Sequence, residues 1–509
     1  MRTLAPPPGH ARLRRRVALR PSVALATLVS CLGVAGCTEL RGQNDIGRDG
    51  GAADTGPVVD MGPEPCPALS ARPEVVIGAA GTSTDIETSS PAELREWTCA
   101  NRYRIEGQVF VLGAEGAPLT LTIGRGTVVE AGPDALLMIT RFARIEAAGT
   151  REDPIVFTSA ASSPSEGDWR GLVILGDGPS SLPPGSEVSR AANAGDVRAG
   201  FGRGPGGDPT EDCGTLEYVR VEFAGVNPDS TFEPESGLTL AGCGTDTTVD
   251  FVQVHRGTDG LGLYGGTVNL THVLVTMSTG DGIEWTGGYT GNMQYVVVQQ
   301  PQLRGPAIKG NNIDGNPNAA PRSAPTIFNA TLVSQVGAAT SRGLDQGVRF
   351  QFGSGGTIRN SMILDFTAYA VDITNTSSAA LATGLDSELA VTHTTFFRNA
   401  TVYGTPEDDL ASQFPGDEEP EPDDEDQEND GSFPEDTYFP DPSFRQRITD
   451  PRLEDAFADP PSFVGGNVEP GAGRFFVPEA GSFFAAESYV GALPPMGVAP
   501  WTEGWTAFP

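Results

Sequence analysis

Two aspartates, Asp259 and Asp281, stand 22 residues apart, and each is followed by a glycine. Glu284 lies just beyond the second, and His255 and Arg256 lie just before the first. If 22 residues make one turn of a repeating coil, Asp259 and Asp281 stack about one strand spacing apart, ~4.8 Å. Carboxylates that converge in this way, with an arginine beside them, can do acid–base work on a glycosidic bond or hold Ca²⁺. The same residues have a plainer use. Asp-Gly at a repeated turn is ordinary turn chemistry, because Asp caps the turn and Gly accepts a positive φ. The turn reading is preferred. No catalytic residue is assigned, and Asp259, Asp281, Glu284 and Arg256 stand as the candidates should chemistry exist.

A second acidic group has a different character. Asp426, Glu428 and Asp430, followed by Gly431, match the first half of a calcium loop in spacing. Position 12 of that loop falls on Thr437 instead of Glu, and no helical pattern flanks it. Residues 406–436 hold fifteen acids and no Lys or Arg. A block of like charge this dense reads as a solvated, disordered loop. No metal or other cofactor is therefore assigned, with Ca²⁺ at Asp426, Glu428 and Asp430 as the low-ranked candidate. Lys309 is the only lysine of the chain, which reads as a coding bias towards arginine. His272 and His393 sit within apolar runs and read as strand positions. Arg342, Arg349 and Arg359 recur in one region, where they suit an acidic glycan or simply balance nearby acids. The chain has no nucleophile elbow, HExxH, phosphate loop or dinucleotide fingerprint.

The elements that would position these groups are short strands. Apolar runs of three to six residues, such as Leu119-Thr-Leu-Thr-Ile and Gly171-Leu-Val-Ile-Leu, end in Gly, Asn, Asp or Thr. No segment reads as a long amphipathic helix. Phe251-Val-Gln-Val, Val273-Leu-Val-Thr and Tyr295-Val-Val-Val start 22 residues apart, and Gly265-Gly266 recurs as Gly287-Gly288 at the same distance. One fixed period over strand, turn and strand fits one coil of a parallel β-helix, whose open edges close on the next coil. An antiparallel sandwich has no reason to keep one period, and a propeller needs longer repeats. The expected fold is all-β, a right-handed parallel β-helix over 66–405 with coils of about 22 residues. A Gly/Pro/Ser-rich insertion interrupts it at 177–212. Residues 437–509 pack on the β-helix, with their aromatics expected to seal the end of the stack.

The N-terminus predicts export. Six arginines and no acid precede an apolar stretch from about Val23 to Val34, and Val34-Ala35-Gly36-Cys37 follows. A basic region, a short apolar region and small residues before the cut make a signal peptide over 1–36. Cys37 has the position of a lipobox cysteine, the lipidation site. Residues 37–65 then form a lipidated flexible tether, rich in Gly, Asp and Pro. Thr38, in place of Asp, suits onward sorting to the outer membrane. The expected location is the outer membrane or cell surface, with the bilayer as partner through N-terminal acyl chains. Four further cysteines, Cys66, Cys99, Cys213 and Cys243, suit disulfides in an exported chain. Sequence proximity favours Cys66–Cys99 and Cys213–Cys243, one of three connectivities. The formal charge of −33, more negative still without the first 36 residues, disfavours nucleic acid as a partner.

Four stretches carry a family resemblance: Leu121-Thr-Ile-Gly-Arg-Gly-Thr-Val-Val, Gly167-Asp-Trp-Arg-Gly-Leu-Val-Ile-Leu-Gly, Leu216-Glu-Tyr-Val-Arg-Val-Glu-Phe-Ala-Gly, and Ser482-Phe-Phe through Tyr489-Val-Gly-Ala to Trp501-Thr-Glu-Gly-Trp505-Thr. Together they resemble a family of secreted bacterial surface lipoproteins with a right-handed parallel β-helix. The resemblance covers roughly 95–405 and 440–509. It implies fold and location and assigns no activity. The turns after the central coils carry single aspartates where that family often has two or three, which weakens any acidic-cluster role for them. The expected function is a non-catalytic surface lipoprotein whose β-helix presents a binding face to polysaccharide, matrix or other cells. The alternative is a carbohydrate-active enzyme, a polysaccharide lyase or glycoside hydrolase, working through the central acids.

Overall fold

The computed structural model describes residues 65–187, 196–225, 236–302, 304–335, 345–399, 430–465 and 474–509. The signal peptide, Cys37 and nearly all of the tether lie outside the described residues. Among the described residues, 25 strands join in one continuous set of parallel ladders, wound as a right-handed parallel β-helix. No helix among them is long and apolar enough to cross a membrane.

Each coil crosses three sheets in turn. The first sheet stacks Leu119–Gly124 on Ala143–Ala148. The second stacks Val128–Ala131 on Ile155–Ser159. The third stacks Leu136–Ile139, Gly171–Leu175, Ser236–Ala241, Asp259–Tyr264, Ile283–Thr286, Ile308–Asn311, Val348–Gln351 and Val371–Ile373. In the middle coils a single strand serves the first two sheets. Thr248–His255, Asn269–Thr276 and Asn292–Gln300 are examples. Such strands bend at one left-handed residue, at Tyr218, Phe251, His272 and Tyr295, with φ between 49° and 61°. A bulky residue pays to sit there. Stacking offsets that cost: the Tyr218, Phe251, His272 and Tyr295 rings follow one another at 4.4, 4.3 and 4.8 Å.

The 22-residue step holds as an average. The third sheet pairs Leu261 with Ile283 at that step. In the second sheet Val252 pairs with Val273 and Val273 with Val296, steps of 21 and then 23. Phe251 therefore matches His272 and not Val273, a slip of one residue from the sequence-based alignment. Inward residues such as Leu261, Ile283, Ile308, Val273 and Val296 form the single interior core.

Two outer faces are covered by the chain itself. Ala199 and Phe201, with Leu182 beside them, come from the 177–212 insertion and pack on Phe110, Met138, Val173 and Leu175 of the third sheet. Trp501, Trp505, Val490, Leu493 and Phe463 pack on Leu274, Val297, Val333 and Leu364 of the second sheet. The C-terminal tryptophans thus lie along the side of the stack instead of sealing its end. Both disulfides join the pairs favoured by proximity, Cys66–Cys99 and Cys213–Cys243.

Candidate functional site

The third sheet begins at a corner where Asp259 and Asp281 occupy equivalent places on successive coils, with Ser236 in register one coil before. Asp259 Oδ1 accepts the backbone N–H of Asp281 at 2.7 Å. The first aspartate therefore ties its coil to the next one, where turn chemistry would have it cap its own turn. Glu284 lies on the outer side of its strand, because Ile283 and Trp285 point into the core. It accepts from Asn311 Nδ2 at 3.1 Å and from the Tyr264 hydroxyl at 3.4 Å. One oxygen from each of Asp259, Asp281 and Glu284 lies within 4.8 Å of the other two.

A cation completes the cluster. Lys309 pairs in register with Glu284, and its Nζ lies 3.4 Å from Asp281 Oδ2. All four side chains are nearly enclosed: Asp259, Asp281 and Glu284 are 3%, 9% and 8% exposed, and the Lys309 side chain is 13% exposed. Burial, with the Asp281 and Glu284 carboxylates next to it, holds the Asp259 carboxyl well above the usual carboxylate range. The Asp281 N–H and Lys309 offset this only in part. Asp259 is thus biased towards its neutral form. The three acids could offer one oxygen each to a cation, but the Lys309 ammonium already supplies positive charge there.

The ladder continues outward from this cluster. Lys309 pairs with Arg349, and Arg349 with Asp372. The Arg349 Nε lies 3.9 Å from Asp372 Oδ2, which also accepts from Gln346 Nε2 at 2.6 Å.

Arg256 does not join the acids. It sits at a bend with φ of 53°, and its Nη1 pairs with Glu166 Oε1 at 2.6 Å. His255 faces the other way, with Nδ1 2.7 Å from Thr276 Oγ1 and Nε2 3.3 Å from the Pro509 carbonyl oxygen. Arg349 and Arg359 lie on different sheets, and Arg342 lies outside the described residues. So do Asp426 and Glu428. Asp430 accepts from the Ser432 and Phe433 N–H groups, at 2.8 and 3.0 Å, in a local turn. Lys309, the only lysine and set aside from the sequence as a coding bias, is brought by the fold to the acid cluster.

A second feature lies on the first sheet. Thr122, Glu146, Thr215, Thr248 and Asn269 are in register from coil to coil, and Asn292, Thr326 and Thr357 continue the line. Asn292 joins Asn269 through two hydrogen bonds of 2.9 Å to one Oδ1. These side chains are exposed or half-buried, unlike the enclosed acids. A cavity of about 490 Å³ lies near the far end of the stack, between Thr395, Arg447, Arg452, Arg474, Phe475 and Val490. None of the four clustered residues lines it.

A family model described as a pectate-lyase-like β-helix domain matches residues 92–428. No curated protein matches the chain, and no solved structure does.

Proposed function

The chain belongs to the pectate-lyase-like β-helix domain family, and from that premise we propose that it is a carbohydrate-binding protein that holds a polysaccharide along its first sheet. The observation that carries this reading is the ladder from Thr122 to Thr357. It sets short hydroxyl and amide groups, with one acid, at a regular strand spacing on an accessible face. Short polar side chains on a rigid sheet lose little conformational entropy when a ligand orders them. They also suit a neutral polymer better than the charged ladder of the third sheet does. Lipidation at Cys37 and export to the outer membrane or cell surface belong to the same proposal. A tether would then hold the β-helix off the bilayer with its first sheet facing the surroundings.

The test is retention on a panel of insoluble polysaccharides. Wild-type protein is retained by at least one neutral polymer. Thr248→Arg and Asn269→Arg, which block two adjacent rungs, cut retention at least tenfold without changing the far-UV circular dichroism. Retention that survives both substitutions sinks the reading.

A second reading rests on one observation, the convergence of Asp259, Asp281, Glu284 and Lys309. Such a group could serve a carbohydrate-active enzyme as acid, base and charge stabiliser. Its near-complete enclosure counts against a polymer reaching it. Polysaccharide cleavage abolished by Asp281→Asn would establish this second reading over the first.

A further inference from the structure

Lys309 carries the one lysine amine, largely enclosed, in a chain whose other cations are all arginines. Arginine stays protonated in proteins and is a poor nucleophile, whereas a desolvated lysine can lose its proton and attack a carbonyl carbon. Here the amine faces a carboxyl group on the coil before it, Nζ to Oδ2 3.4 Å, with both side chains about one-eighth exposed. Two further carboxyl groups, Asp259 and Glu284, lie against that same carboxyl. We propose that Lys309 and Asp281 are joined by an intramolecular isopeptide bond that forms spontaneously once the coils stack.

The step balances without any outside reagent. A proton leaves the Lys309 ammonium for the Glu284 carboxylate, freeing the amine lone pair. The amine attacks Asp281 Cγ and forms the new N–C bond. The tetrahedral carbon then loses one of its carboxyl oxygens as water. Asp259, whose carboxyl is biased towards its neutral form, protonates the departing oxygen. The proton shed by the amide nitrogen and the one held by Glu284 complete the water and restore Asp259. One ammonium and one carboxylate become one amide and one water, and nothing is oxidised or reduced.

The surroundings favour this course over a lasting ion pair. An enclosed pair of charges pays a desolvation cost that a neutral amide does not. Positioning by two stacked strands supplies the proximity that such a condensation needs, with effective molarities on the order of 10⁵–10⁸ M in well-oriented cases. Positioning is rigid here. Glu284 and Lys309 are register partners. Asp281 is fixed from behind by its N–H bond to Asp259. The product would staple the coil of Ile283–Thr286 to that of Ile308–Asn311 covalently, beside the Asn311–Glu284 hydrogen bond that already crosses the boundary.

Tryptic digestion of the reduced, denatured full chain decides the matter. Trypsin cuts an unlinked chain after Arg256, Arg304, Lys309 and Arg322, releasing 257–304 apart from 305–309 and 310–322. The expected wild-type product is 257–304 joined to 305–322, lighter than the two peptides together by one water, with fragmentation placing the link between Asp281 and Lys309. Lys309→Arg keeps the charge, cannot form the amide, and yields separate peptides. Glu284→Gln leaves a larger unlinked fraction, because the amine has lost its proton acceptor. Release of free 305–309 from the wild-type chain, with no joined peptide, overturns the proposal whether or not any variant folds. A link that maps to Asp259 or Glu284 overturns the assignment to Asp281. Linking of Glu284→Gln as complete as in the wild type overturns the proton transfer.

Discussion

Gln253 grips Ala507 with both ends of its side-chain amide: Nε2 donates to the Ala507 carbonyl at 2.7 Å, and Oε1 accepts the Ala507 N–H at 3.0 Å. Gln294 holds Ala485 in the same two-way fashion, and Asn360 holds Phe476. These amides dock an otherwise irregular C-terminal segment against regular strands. They satisfy backbone groups that would be costly to bury alone. Gln253→Leu removes both bonds and strands the Ala507 amide, a loss of about 2–3 kcal/mol that falls on the docked tail. Hydrogen exchange at residues 501–509 rises sharply in the variant, while the central strands keep their protection. Unchanged protection of the tail would show that Trp501 and Trp505 hold it without the clamp.

His255 stands beneath the end of that tail and gives it a dependence on pH. Burial pushes the imidazole down to about 4, from an ordinary value near 6.5. A base whose folded pKa is depressed contributes stability that is complete above its unfolded pKa and is lost as pH falls towards the folded one. The His255 contribution therefore declines from near pH 6.5 down to about 4, by about 2–3 kcal/mol. His393, also pushed down to about 4 by burial and by Arg359, Arg445 and Arg447, adds to the same decline. His255→Gln cannot titrate, and its urea midpoint falls less over this range. An identical decline in both proteins would assign the effect elsewhere.

Trp285 sets the size of its neighbour. Gly310 is its register partner on the next coil, and a Cβ there would come within 2.6 Å of Trp285 Cζ2. Phe350 follows on the coil beyond, so the column runs large, small, large. Gly310→Ala overpacks this column and costs about 1–3 kcal/mol, read as a lower urea midpoint with unchanged slope. Since Gly310 follows Lys309 directly, the same change loosens the acid cluster. A midpoint equal to wild type would mean that the indole shifts freely within the core.

Asp259 and Asp281 are legible in the sequence because the coils that carry them keep a 22-residue step, so a simple shift superposes them. Lys309 is hidden by the next coil. Ile283 pairs with Ile308, a step of 25, and a fixed period does not bring the lysine beside Glu284. Arg256 is close to Asp259 in sequence but turned away by a left-handed bend, which no spacing rule reports. The polar ladder of Thr248 and Asn269 escapes notice for another reason. Its residues alternate with core residues such as Val249 and Leu270, so they read only as the solvent side of a strand. The C-terminal segment carries no periodicity, and its docking depends on single amides such as Gln253 that look like ordinary strand residues.

The raised pKa of Asp259 makes the acid cluster costly at neutral pH, and the sign can be tested. The folded chain holds a proton on Asp259 that the unfolded chain releases above its ordinary value of 3.8. Between that value and the raised one the folded state binds more protons, so stability falls as pH rises through the window. Below both values the residue contributes no pH dependence. Asp259→Asn keeps a carbonyl-type Oδ1 to accept the Asp281 N–H and carries no titrating proton. Its stability relative to wild type therefore grows as pH rises above 3.8, whereas loss of a favourable carboxylate would make it shrink. Urea midpoints of the two proteins across that range separate the cases. A constant difference would mean that Asp259 is ionised in the fold.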